Sequence, residues 1–107
     1  MDLPTLFSAL SDANRFAIVE RLMAEGELTA GSIGKDLPIS APAISRHLNV
    51  LHGAGLVTRR GNRQQRLYSV RPEAIQSVSD WVMDHRKFWA GSLDKLEEIL
   101  QSPKENQ

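Results

Sequence analysis

The sequence predicts a mainly α-helical fold with one small β-hairpin. Three observations carry that expectation. Apolar residues recur at helical spacing over most of the 107 residues. Two short strand-like runs break that period just past the middle. Capping residues and Pro or Gly stops divide the helical stretches into short pieces.

Leu3, Leu6, Phe7 and Leu10 give a short first helix. Ser11-Asp12 offers an N-cap for a second helix from Ala13 to about Ala24, with Phe16, Ile18, Val19, Leu22 and Met23 apolar and Gly26 at the stop. Thr29 caps a third helix with Ile33 and Leu37 on its inner face, and Pro38 ends it because proline disfavours helical geometry at the preceding residue. Ser40 caps the fourth, with Ala41 and Pro42 in a first turn where a missing N–H costs little. Its inward stripe is Ile44, Leu48 and Leu51, widened by Val50, and Gly53 and Gly55 close it. Two helices joined by a tight Pro-containing turn make a helix-turn-helix.

The period then shortens. Leu56 to Arg60 and Arg66 to Val70 read as strands, with the polar Gly61-Asn62-Arg63-Gln64-Gln65 as their loop. A basic hairpin directly after a helix-turn-helix is a wing, so the expected fold is a winged helix-turn-helix. Pro72 opens a long final helix to about Gln101, with Ile75, Val78, Val82, Trp89, Leu93, Leu96 and Leu100 on one stripe, Trp81, Phe88 and Ile99 widening it and Gly91 as a candidate kink. That helix has more apolar surface than one small domain can cover, which calls for a partner surface. One domain is expected over 1–101, combining binding and dimerisation, followed by a flexible tail at 102–107.

The chain has no cysteine, which excludes disulfides, thiolate zinc sites and thiol redox switching. The first residues lack the basic-then-apolar pattern of a signal peptide, and no run approaches the roughly 18 apolar residues of a membrane span. A cytoplasmic protein without a membrane partner is expected. Net charge is zero but unevenly spread: −3 over 1–36, +6 over 37–72 and −3 over 73–107. The central third holds Arg46, Arg59, Arg60, Arg63, Arg66 and Arg71 and no acid. Ordinary solubilising surfaces mix both signs, so this segment builds a positive face for an anionic partner, double-stranded DNA.

The fourth helix carries the candidate base-reading face. Its N-terminal residues Ser40, Ala41, Pro42 and Ala43 are small enough for close backbone approach, and Ser45, Arg46 and Asn49 face outward. Arg46 suits guanine, Asn49 suits adenine, and Ala41 or Ala43 suits a thymine methyl. His47, beside Arg46, joins this set, with a buried or capping role left open. Arg59, Arg60, Arg63 and Arg66 flank or occupy the wing loop and suit phosphates and a narrow minor groove. Tyr68 is assigned to core or hairpin packing. Asp80, Asp84 and His85 on the last helix leave a metal-responsive alternative, and a winged helix used for protein binding is another. No nucleophile–base pair or phosphate-cradling glycine loop is present, so no enzyme activity, catalytic residue or cofactor is expected.

The run from Ser40 through Ala41-Pro42-Ala43-Ile44-Ser45-Arg46-His47-Leu48-Asn49-Val50-Leu51, then Gly53-Ala54-Gly55-Leu56-Val57, resembles the recognition-helix pattern of ArsR-type winged-helix repressors. The opening Leu10-Ser11-Asp12-Ala13-Asn14-Arg15 and the strand Arg66-Leu67-Tyr68 are similar to that family too, so the resemblance spans nearly the whole chain. It implies a homodimer built by the first and last helices, here through Leu3, Leu6, Phe7, Leu10, Val78, Trp81, Val82, His85, Trp89, Leu93 and Leu96. It also implies repression at an inverted-repeat promoter. Where family metal sensors carry a cysteine pair, this chain has Gly31-Ser32-Ile33-Gly34-Lys35-Asp36, and of the last-helix metal site only Asp84 and His85 remain. The resemblance is to a cysteine-less branch, with no metal expected and the inducing molecule open.

Overall fold

The computed structural model describes residues 1–101, so the expected tail at 102–107 lies outside the described residues. The elements run α1 (Leu3–Leu10), α2 (Ala13–Glu25), β1 (Leu28–Thr29), α3 (Ala30–Lys35), α4 (Ala41–Gly53), β2 (Val57–Asn62), β3 (Gln65–Val70), α5 (Pro72–Asp84) and α6 (Arg86–Leu100). Contacts divide the chain into two compact units, one from Met1 to Ser77 and the other beginning at Val78.

In the first unit the helix starts follow from their caps. Asp2, Asp12, Thr29 and Ser40 each accept from the backbone N–H three residues on, at Thr5, Arg15, Ser32 and Ala43. Gly26 stops α2 at φ 85°, and Gly55 turns the chain from α4 into β2 at φ 83°, a backbone region that favours glycine. The sheet is antiparallel in the order β1-β3-β2. Leu28 pairs with Tyr68 and Thr29 with Leu67, so the two-residue β1 extends the hairpin to three strands. Periodicity cannot detect a strand this short.

Ile18, Val19 and Leu22 of α2, Ile33 of α3, Ile44, Leu48 and Leu51 of α4, and Leu56, Val57 and Tyr68 of the sheet form the core, closed by Leu6 and Ala9 of α1 and Ala74. Tyr68 packs in this core, as the sequence predicts. Two arginines tie the helices around it. Arg15 Nε donates to the Ala9 carbonyl at 2.7 Å, and its guanidinium lies 3.3 Å from His47 Nδ1, joining α1, α2 and α4. Arg21 donates to the Ser32 carbonyl at 2.7 Å and pairs with Glu25 and Asp36, holding α3 on α2.

Four expectations are corrected. The third helix ends at Lys35, leaving Leu37 half-buried beyond it, because Asp36 already departs from helical dihedrals. Val50 does not widen the inner stripe of α4 but is 44% exposed. It lies two residues on from Leu48, more than half a turn around the helix. The polar loop shrinks to Arg63-Gln64, since strand pairing continues to Asn62 and Gln65, and Arg63 takes the reversal at φ 61°. The last helix is two helices. It breaks at His85, not Gly91, which lies within α6.

The second unit holds the end of α5, the break and α6. His85 N–H donates to the Val82 carbonyl at 3.2 Å, a tightened final turn, and the Trp89 indole N–H reaches the same carbonyl at 2.7 Å. His85 Nδ1 lies 2.8 Å from the Trp81 carbonyl and its ring sits against Trp81. Side chains thus satisfy carbonyls that a continuous helix would bond to its own backbone. No helix of the described residues is long and apolar enough to cross a membrane.

Removing Arg15 strands the Ala9 carbonyl and releases His47. Arg15→Ala is expected to lower stability by about 2–3 kcal/mol, given the strength of charge-assisted hydrogen bonds. Urea unfolding measures this, and a loss below about 0.5 kcal/mol would show that the clamp contributes nothing net. The Asp12 carboxyl is held below its ordinary 3.8, chiefly by the Arg15 N–H that it caps. Its contribution is therefore present above 3.8 and lost as pH falls through that value toward the lower folded one. Asp12→Asn keeps the cap and should flatten this part of the stability–pH curve.

Candidate nucleic-acid interface

The face that α4 turns away from the core is set by the three residues it buries. With Ile44, Leu48 and Leu51 inside, Ser45, Arg46 and Asn49 are exposed, and Arg46 and Asn49 stand one turn apart as neighbours. Ala41 and Pro42 are exposed at the N-terminal end, with Ala43 half-buried beside them. Ser40 is exposed, and its hydroxyl accepts from the Ala43 N–H at 3.2 Å, which fixes the entry of the helix.

The hairpin meets α4 along one side. Arg59 of β2 donates to Asn49 Oδ1 at 3.1 Å, bridging wing and helix. A groove of about 490 Å³ runs beside this contact, lined by Thr29, Ala30, Gly31, Ser45, Asn49, Gln64, Gln65, Arg66 and Tyr68. The outward residues Ser45 and Asn49 of α4 therefore share a concave surface with Arg66 and the turn of the wing. His52, the next α4 position toward the C-terminus on this side, lies within the field of the same arginines. Burial first, then the charges of Arg59, Arg71 and Arg66, hold its imidazole below the ordinary 6.5. Arg63, at the tip, is exposed.

Two residues placed with the DNA-facing set are committed elsewhere. Arg60 forks onto Glu27, with Nε and Nη2 each donating to a carboxylate oxygen at 2.8 and 2.9 Å. Successive strand residues point to opposite faces, so Arg59 toward α4 dictates Arg60 away from it. The pair holds the Glu27 carboxyl below its ordinary range and raises Arg60. His47 is turned inward, half-buried, between Arg15 and Asp12, whose carboxylate is 3.9 Å away. Of the two alternatives left open for it, the buried one fits this half-buried setting, since its contacts are side chains and not a helix end. Sequence reasoning passed over Glu27 and Arg21, and read Arg15 only as part of a family pattern without a contact. The excess of acids before residue 37 was visible, but which arginine each would neutralise depends on tertiary contact.

Of the residues assigned to a dimer seam, Leu6 is fully buried in its own unit and has no surface to offer a partner. Leu3 and Leu10 are half-buried and Phe7 is 41% exposed. In the second unit α6 buries no residue at all. Trp81, Val82, His85, Leu93 and Leu96 are exposed, while Val78 and Trp89 are half-buried. Among the described residues, no group of three or more His, Cys, Asp or Glu side chains is placed to hold a metal ion.

A family model described as a helix-turn-helix domain matches residues 10–60. The chain is 38% identical over 96 residues to the HTH-type transcriptional regulator Rv2034 of Mycobacterium tuberculosis, covering 90% of this chain and 86% of that one. It is 34% identical to the arsenic resistance transcriptional regulator ArsR1 of Pseudomonas putida, covering 94% of this chain and 84% of that one. Among solved structures, an ArsR-like transcriptional regulator from Rhodococcus sp. RHA1 superposes with a TM-score of 0.71 at 28% identity, over 94% of this chain and 93% of that one. The helix-turn-helix, the three-stranded wing sheet and these similarities agree: the chain belongs to the ArsR family of winged helix-turn-helix proteins and is a DNA-binding regulator of transcription.

Proposed function

We propose that the protein is a homodimeric repressor. Each copy lays α4 into a major groove of an inverted-repeat operator and sets its wing on the adjoining backbone and minor groove. The observation that carries this reading is the meeting of α4 and wing on one surface, with Asn49 bonded to Arg59 and Ser45 sharing a groove with Arg66. Arg46 and Asn49 contact base edges, and Ser40, Ala41, Pro42, Ala43 and Ser45 line the approach. Arg59, Arg63 and Arg66 meet phosphates or the minor groove. Arg60 and His47 serve the architecture instead. Occupying the operator excludes polymerase, and no cofactor enters this reading.

The apolar residues of α5 and α6 support the dimer. Phe88, Leu93, Leu96 and Ile99 are each more than half exposed in the single chain, a surface that water does not favour. A second copy covers Val78, Trp81, Val82, His85, Trp89, Leu93 and Leu96, with Leu3, Phe7 and Leu10 adding to the seam. In the dimer the two α4 helices stand about 34 Å apart, one DNA turn.

Arg46→Ala is expected to cost about 1–3 kcal/mol on the preferred duplex and to relax base preference at one position. Arg63→Ala should weaken all sequences alike and reduce the salt dependence by about one counterion. Arg60→Ala should leave DNA affinity nearly unchanged. Fluorescence anisotropy over a salt series compares the three, and an Arg46→Ala protein with native affinity and selectivity removes α4 from the base-reading role. Leu93→Asp puts a charge into the seam at a residue already exposed in one chain, so the fold tolerates it while the dimer does not. Sedimentation should show monomers, and an intact dimer would place the seam elsewhere.

A further inference from the structure

The Arg59–Asn49 contact has a consequence beyond joining wing to helix. A guanidinium carries only donors, so the Asn49 atom 3.1 Å from Arg59 Nη1 has to be the carbonyl oxygen Oδ1. The amide Nδ2 is then the end of the side chain that does not face the Arg59 guanidinium. An exposed asparagine without a fixed partner samples both flips of its amide, because that terminal torsion is broad and nearly two-fold. Here one flip keeps the hydrogen bond. The other sets N–H groups against guanidinium N–H groups. Oδ1 has two lone pairs and Arg59 takes one, so a lone pair and both N–H groups of Nδ2 remain for a ligand.

We propose that Arg59 is a positioning residue: by holding Oδ1 it fixes the amide flip of Asn49, and Asn49 so fixed reads an adenine in the major groove. An acceptor beside a donor, held in one order, complements the exocyclic N–H and N7 of adenine, a pattern no other base presents there. Asn49 is exposed and one turn from Arg46, and it borders the groove that also holds Ser45 and Arg66. The inference rests on the operator-binding reading above and adds how one of its bases is chosen.

The test begins with the full-length native protein and a pool of randomised duplexes, which defines the preferred duplex. Affinities for that duplex and for each single-base-pair change are then measured for the native protein, Asn49→Ala, Arg59→Ala and Arg59→Lys. Asn49→Ala should abolish discrimination at one base pair of each half-site, and that pair should be A·T. Native discrimination there should lie roughly between 5- and 150-fold, the range of a good bidentate contact. Arg59→Ala should reduce it several-fold at the same pair and at no other. Arg59→Lys, whose ammonium also donates to Oδ1, should restore most of it. A residue serving only as a phosphate contact would instead weaken matched and altered duplexes by one common factor. That result for Arg59→Ala overturns the proposal. So does an Asn49-dependent pair that is G·C, or no pair that depends on Asn49. A pool that yields no preferred duplex overturns the operator reading and this inference together. A preferred duplex whose discrimination ignores Arg59→Ala overturns this inference alone.

Discussion

The rotation of α4 about its own axis is the constraint on which the binding surface depends. Ile44, Leu48 and Leu51 are buried to 2% exposure or less, and a helix that buries three residues on one stripe cannot turn without lifting all of them into water. That fixes which residues face out: Ser45, Arg46 and Asn49. The same helix is held at its start by Ser40, in its middle by His47 against Arg15, and at its end by the Leu56 N–H on the Leu51 carbonyl. Apolar burial chooses the face, and these polar ties fix the position along the axis.

Placement gives the central arginines different work. Arg59 and Arg66 lie toward α4, and their charge is felt at His52. Arg60, one residue on from Arg59, points to the other side of the strand and is matched by Glu27. The +6 of the middle third is a real excess, but the surface facing the groove is built from only some of it. The acids of the first third are likewise not spectators. Asp12, Glu25, Glu27 and Asp36 each take part in a cap or an ion pair that fixes a helix or the wing. The folded protein therefore separates its charges, with paired ones at the joints and less encumbered ones at the binding face.

The second unit obeys a different logic. Its bend at His85 is stabilised within the unit by Trp89, His85 and the Val82 and Trp81 carbonyls. Its apolar residues are left over, since none of α6 is buried. An amphipathic helix whose apolar side stays largely exposed is half of a core, and in the proposed dimer a second copy of the chain supplies the other half.

Short-range chemistry was legible in the chain. The caps at Asp12, Thr29 and Ser40, the glycine stops, the inward stripe of α4 and the basic hairpin follow from side-chain type and spacing, because each acts within a few residues. The family pattern from Ser40 to Val57 carried the fold and the DNA-binding role with them. Tertiary structure decided what depends on groups far apart in the chain. It paired Arg60 with Glu27, turned His47 toward Arg15, added β1 through Leu28 and Tyr68, and spent Leu6 inside its own unit. It also broke the last helix at His85, where side-chain donors compete for backbone carbonyls that the apolar period had assigned to one continuous helix. A period reports which residues avoid water, and it cannot report which partner a polar group finds once the chain has closed on itself.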